Sequence, residues 1–202
     1  PIGDGPPVLM ALDAQIELRK GAQVRRMPLA DFYLDYMKNA MAPGEFVQGL
    51  AVPLAGPSSA KGRRVRAYKI SKRFDSDISA LCGGFSLELD GDTVKTIRLA
   101  FGGMAATVKR AAQAEAALLG KPWNQASVDA AKAALAKDFS PLSDMRASAD
   151  YRLQVAQNLI QRLWRETRAS DALRAQATSV WSVMPHVVPT AATAATADAA
   201  GA

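Results

Sequence analysis

Apolar and polar positions alternate along "AQIELRKGAQVRRM" (residues 14–27), with Lys20 and Gly21 near the midpoint. Period-two alternation interrupted by glycine predicts short strands over residues 8–27, joined by a hairpin turn. "PLADFYLDYMKNAM" (28–41) predicts a short helix with Pro28 near its first turn, and "EFVQGLAVP" (45–53) a strand stopped by Pro53. After "LAGPSSA", whose Pro, Gly and Ser mark a linker, "VRAYKIS" predicts a further strand. The clearest local signal is residues 80–105, two apolar-rich arms about Asp90 and Gly91, a favoured pair for a tight turn.

The period then changes. "VKRAAQAEAALLG" (108–120) is rich in helix formers and ends at Gly120, with Pro122 just beyond. Ser127 is a good N-cap for "VDAAKAALAKDF". A third helix is expected to start near Ser143 or Asp144, with Leu153, Val155, Ala156, Leu159, Ile160 and Leu163 at helical spacing. From about 185 the chain is low in complexity and reads as a tail without a packed core. Strands, a linker, an antiparallel hairpin sheet and three helices in that order predict an α+β chain in two pieces.

Composition narrows the function classes. The 202 residues are 49% apolar and 22% charged, ordinary for one or two small domains. No apolar run approaches the roughly 18 residues of a membrane span, so no membrane partner is expected. The opening "PIGDGPP" lacks a basic signal-peptide region and an initiator Met, so a piece of a longer protein is expected. The lone Cys82 fits a reducing, cytoplasmic setting and supplies no cluster ligands; a single histidine, His186, argues against a His-based metal site or triad. A net charge of +6 suits nucleic acid, a membrane surface or an anionic cofactor. The basic stretch "KGRR" with Arg66 has no interleaved aromatic before Tyr68, so it reads as a solvated loop and no nucleic-acid partner is expected.

Candidate chemistry is sparse. "PIGDGPP" packs Pro, Gly and Asp into a turn, in which Asp4 could hydrogen-bond its own backbone or accept from a ligand's hydroxyls. Gly102 and Gly103, in "AFGGMA", make either a strand-ending turn or a close approach to a flat ligand. "DMRASADYR" (144–152) reads as a capped helix start in which Arg146 and Asp150 can pair. "KISKRFDSDIS" (69–79) places cations directly before acids; on a strand, Lys69 faces away from Tyr68 and Ile70, either merely exposed or able to reach a cofactor.

Taken in order, "PIGDGPPVLMALDA", "PLADFYLDYMK", "YKISKRFDSDISA", "RLAFGGMAATVKRA", "EAALLGKPW" and "PLSDMRASADYR" resemble the flavin-binding part of the small subunit of bacterial xanthine dehydrogenases, which are molybdenum hydroxylases. The resemblance implies the end of an FAD-binding, vanillyl-alcohol-oxidase-like subdomain over 1–55 and a linker over 56–63. It further implies a three-stranded antiparallel sheet packed on a three-helix bundle over 64–168, like the carbon monoxide dehydrogenase flavoprotein C-terminal domain, and a tail over 169–202. The implied activity is electron relay from 2Fe–2S clusters through FAD to NAD⁺ during oxidation of hypoxanthine and xanthine to urate. Relatives acting on carbon monoxide, an aldehyde or an aromatic thioester are the alternative. The clusters and the molybdenum cofactor are then expected outside this chain, in an upstream iron–sulfur and FAD half of the same subunit and in a molybdenum-binding large subunit. Position by position, Asp4, Val47 and Lys69 match FAD contacts, while Tyr36, Asp75, Gly102, Gly103 and Met104 match the nicotinamide side. The resemblance assigns no residue a catalytic or metal-ligating role.

The family's glycine-rich diphosphate loops have no counterpart in this sequence, and a diphosphate needs converging backbone N–H donors. The isolated chain is therefore expected to bind FAD weakly. Titration followed by flavin fluorescence checks this, and sub-micromolar binding would overturn it. Residues 64–165 are expected to be the stable unit, with residues 1–55 loose.

Overall fold

The computed structural model describes residues 3–54 and 62–178; the expected linker lies mostly outside them, as does the low-complexity stretch from 185. The chain opens with helix α1 (Gly5–Ala11), not with the expected turn and strand. Pro6 and Pro7 occupy its first turn, where a missing N–H is harmless and the fixed φ suits a helix. Pro7, Met10 and Ala11 are buried. Strands β1 (Gln15–Lys20) and β2 (Gln23–Pro28) form the expected hairpin, and β5 (Phe46–Ala51) pairs with the other edge of β1.

The helix expected over 28–41 shrinks to one turn, α2 (Leu29–Phe32), followed by the small hairpin β3 (Tyr33–Asp35) and β4 (Lys38–Asn39). Leu29 and Phe32 are buried, but Leu34, Tyr36 and Met37 are exposed, so no apolar face continues the helix.

The second sheet has four antiparallel strands, not three, in the order β6 (Arg64–Ile70), β7 (Leu81–Asp90), β8 (Thr93–Gly102) and β9 (Lys109–Arg110). Residues 109–110, expected to be helical, pair with β8 instead, while Val108 buries in the cluster that holds Met10. Helix α3 (Ala112–Leu118) is correspondingly short. Helix α4 (Gln125–Asp138) starts before Ser127, because the side chain of Asn124 caps it by accepting from the Ser127 N–H. Helix α5 (Ala149–Thr167) starts late, capped by Ser148, because Asp144 holds residues 144–147 in a turn of their own.

The sheet is covered on both faces. Leu81, Phe85 and Leu87 of β7, with Ile97, Leu99 and Phe101 of β8, pack with the residues of α3, α4 and α5 in one core. On the opposite face α1 crosses β7 so closely that a Cβ built at Gly84 would lie 2.4 Å from the Pro7 carbonyl carbon. Ala100 and Val108 join Met10, Ile16, Leu18, Leu29 and Phe32 in a second core. Among residues 3–54, α1 and β1 share a core with the larger sheet, while β2 and β5 keep mostly exposed positions.

The arginines after the linker are cross-links, not a solvated loop. Arg63 donates to Ser86 Oγ at 2.8 Å and to the Ala11 carbonyl at 3.1 Å, tying α1 to β7. Arg64 donates to the Thr167 carbonyl. Arg66 and Arg162 pair with Glu166, which also accepts from the Tyr68 hydroxyl at 2.9 Å, binding β6 to α5. Just beyond α5 the chain turns back on it, with the Leu173 N–H donating to the Arg165 carbonyl at 2.7 Å. No helix among the described residues is long and apolar enough to cross a membrane.

Gly84→Ala should force α1 off the sheet and cost about 1–3 kcal/mol of unfolding free energy. Gly5→Ala, with nothing within 4 Å of the new methyl, should change stability little. Urea denaturation of the two variants checks the contrast.

Candidate functional site

An open cleft of about 980 Å³ lies between the end of β6, the loop 71–79 and the turn before α5. Lys69, Lys72, Arg73, Asp75, Ile78 and Met145 line it. Strand alternation does what the pattern predicted: Tyr68 is buried and Lys69 points outward. The Lys69 ammonium donates to Asp4 Oδ2 and to the Asp77 carbonyl, both at 2.7 Å. Ser79, buried at the end of the loop, donates from Oγ to Asp4 Oδ1 at 2.6 Å. The Cys82 thiol lies 3.7 Å from the Asp4 carbonyl oxygen.

These contacts set the charge. Partial burial acts to raise the Asp4 carboxyl, but the Lys69 and Ser79 hydrogen bonds and the Lys69 charge outweigh it and hold the group below its usual range. The hydrogen bond to Asp4 raises Lys69 in turn. Burial, helped by the Asp4 charge, pushes the Cys82 thiol up to about 11, so it is an inert neutral group at pH 7. The pair is half-exposed, with the Lys69 and Asp4 side chains 44% and 42% accessible.

The loop's acids serve the loop. Asp77 accepts from the N–H groups of Arg73 (2.9 Å) and Ile78 (3.0 Å), and Asp75 from that of Ser76 (2.7 Å). These N–H donors are therefore committed internally and do not form an anion cradle. Lys72 crosses the cleft to the Met145 carbonyl at 2.6 Å. Behind it, Arg152 of α5 is 2% exposed and donates to the carbonyls of Ala80 and Gly103, the latter at 2.9 Å. Its second terminal nitrogen reaches Asp144 Oδ1 at 2.7 Å. The pairing expected between Arg146 and Asp150 is replaced by Arg146 with Asp144.

The structure brings together Asp4, Lys69 and Asp75, but not the other expected residues. Val47, on β5, and Tyr36, in the β3–β4 turn, are exposed and do not line this cleft. Gly102 and Gly103 end β8 for a packing reason: Gly103 has φ +81°, and a Cβ there would meet the Ala80 carbonyl oxygen at 2.6 Å. Met104 is fully buried in the helix-side core. None of these three residues lines the cleft, and the missing side chain of Gly103 leaves room for Arg152, whose terminal nitrogen would lie 3.2 Å from a Cβ there. Ser79 and Arg152 were missed, because their partners Asp4, Ala80 and Gly103 are distant in sequence and no local spacing marks them, whereas Asp144 was read only as a helix start.

The donor set fits part of a flavin. A carboxylate has about four lone-pair sites, so Asp4 keeps acceptor capacity for ligand hydroxyls, and Lys69 has used two of its three N–H donors.

Comparison with known proteins agrees. Residues 66–167 match the family described as CO dehydrogenase flavoprotein C-terminal domain, and residues 1–55 the FAD binding domain in molybdopterin dehydrogenase. Nicotinate hydroxylase of Emericella nidulans is 34% identical over 169 residues, covering 81% of this chain and 12% of that protein. Xanthine dehydrogenase of the same organism is 32% identical over 180 residues, covering 85% and 13%. Carbon monoxide dehydrogenase from Hydrogenophaga pseudoflava, in a form lacking the Mo-pyranopterin moiety of its molybdenum cofactor, superposes with a TM-score of 0.71 at 28% identity over 78% of this chain and 53% of that one. The chain thus spans about an eighth of these two curated relatives and about half of the solved chain.

Asp144 is held at about 2, first by the Arg146 N–H, against an opposing effect of burial, and further by the Ala147 N–H and Arg152. A depressed carboxyl stabilises the fold above its ordinary value of 3.8, and that contribution is lost as pH falls towards 2. Asp144→Asn should therefore be less stable than the parent chain at neutral pH, with the gap closing between these limits. Thermal unfolding across that pH range checks the convergence.

Proposed function

We propose a function on one premise: the chain belongs to the FAD-binding domains of molybdopterin dehydrogenases and carries their CO dehydrogenase flavoprotein C-terminal domain. It is the part of an oxidoreductase that holds one side of FAD, in an enzyme whose 2Fe–2S clusters and molybdenum centre lie in other segments or subunits. We place that enzyme among those oxidising hypoxanthine and xanthine, with NAD⁺ as acceptor. The similarity to a xanthine dehydrogenase and the blocks "KISKRFDSDIS" and "PLSDMRAS" support this branch. The slightly higher identity to a nicotinate hydroxylase supports a second reading, in which another nitrogen heteroaromatic is hydroxylated.

The observation that carries the flavin assignment is the Lys69–Asp4 pair, whose lysine lines the cleft. Bound FAD supplies two-electron transfer. Asp4 would accept hydrogen bonds from hydroxyls of the cofactor through its remaining lone pairs. Lys69 would supply positive charge that favours the reduced flavin, with Asp4 moderating it. Asp77 holds the loop through its carboxylate and, through its carbonyl, the Lys69 side chain.

In the whole enzyme, Lys69→Met should leave FAD bound but lower its reduction potential by roughly a few tens of millivolts. Loss of the cation also leaves Asp4 uncompensated, so Asp4→Asn in the same background should recover part of the fall. A redox titration checks both variants. An unchanged potential would make Lys69 an ordinary exposed strand residue.

A further inference from the structure

We propose that Ser79 is a positioning residue for the flavin, acting through the Asp4–Lys69 pair; the proposal rests on the flavin assignment above.

Asp4 stands at the N-cap of α1, yet its side chain accepts no capping hydrogen bond. The helix therefore does not orient the carboxylate. Its two oxygens are divided instead between Lys69 on Oδ2 and Ser79 on Oδ1. The two anchors differ in kind. Lys69 ends a flexible side chain that is 44% accessible and shared with the Asp77 carbonyl. Ser79 is 1% exposed, and its short side chain leaves the hydroxyl little freedom.

The backbone behind Ser79 is also fixed. The Ala80 N–H donates to the Ile70 carbonyl at 2.7 Å, and the Ala80 carbonyl accepts from the buried Arg152. A buried hydroxyl needs a partner, and among the described residues Asp4 is the one this serine has. Rigidity thus passes from α5 through Arg152 and Ala80 to Ser79, and from there to the carboxylate. With one oxygen held by a rigid donor, the plane of the Asp4 carboxylate is set, and with it the direction in which the remaining lone pairs meet a ligand. Without Ser79, the carboxylate can turn about its own side-chain bonds and draw the Lys69 ammonium with it.

The titratable groups around Asp4 are Lys69 on β6, Cys82 on β7 and, through Lys69, Asp77 in the loop. None of them changes in a Ser79 variant, so a shift in Asp4 titration reports the lost hydroxyl.

The test uses Ser79→Ala and Ser79→Thr. Carbon-13 NMR follows the Asp4 carboxyl through its titration in the full chain, and FAD affinity is measured in the whole enzyme. Ser79→Ala should raise the Asp4 midpoint and weaken FAD binding roughly threefold to tenfold. Ser79→Thr, which keeps the hydroxyl, should restore both, whereas a merely structural loss would move neither the Asp4 midpoint nor its rescue. An unchanged Asp4 midpoint in Ser79→Ala overturns the proposal, whatever happens to the flavin. So does a shifted midpoint with unchanged FAD affinity. Asp4→Asn separates the two causes of that last result: if it too leaves FAD affinity unchanged, the flavin assignment is at fault and not the Ser79–Asp4 coupling.

Discussion

The described parts of the cleft depend on one buried cation. Arg152 sits where the start of β7, the end of β8 and the first turn of α5 converge, and it donates to a carbonyl from each strand end as well as to Asp144. Burying a guanidinium is costly unless its hydrogen bonds are met. Here its terminal nitrogens are met, while Nε is left without a partner. The arrangement is workable only because Gly103 turns with positive φ and lacks a side chain that would strike the Ala80 carbonyl. Strand ends, helix start and the loop that carries Ser79 are thereby fixed relative to one another.

A second constraint is the double coverage of β7. Leu81, Phe85 and Leu87 on its helix-facing side are large and apolar, as a sheet packed on helices requires. Its other face presents Cys82, Gly84 and Ser86, small enough for a helix backbone to lie almost in contact. α1 therefore brings Asp4 within reach of Lys69, two residues separated by 65 positions in the chain. The carboxylate and the ammonium come from the two family-matched segments, so this pair exists only when α1 is docked.

Local pattern made much of this legible. Both hairpins, the strand that carries Lys69 and the outward direction of that side chain followed from alternation. The last two helices were legible in existence and misplaced at their starts, because Asn124 and Ser148 compete as caps with Ser127 and Asp144, and only tertiary contacts decide among them. α1 was illegible because its prolines and glycines read as a turn, and the surface it packs on lies some 80 residues away. β9 was misread because alanine-rich flanks favour a helix, while Val108 packs in a core with Met10 and Arg110 pairs with Asp13. At the site, Lys69 and Asp4 carried a recognisable pattern, whereas Ser79 and Arg152 derive their roles from contacts 75 and 72 positions away.

The larger sheet ends at β6, and an edge strand ordinarily offers a ladder of unpaired backbone groups to any passing chain. This edge is obstructed. Arg66 donates back to the carbonyl of Val65 at 2.9 Å, removing one acceptor from the row. Arg64 and Arg66 are also tethered to the end of α5, so bulky charged side chains stand along the strand. The arginines that fasten strand to helix thereby also crowd the open edge of the sheet with charge, which disfavours pairing by a further strand.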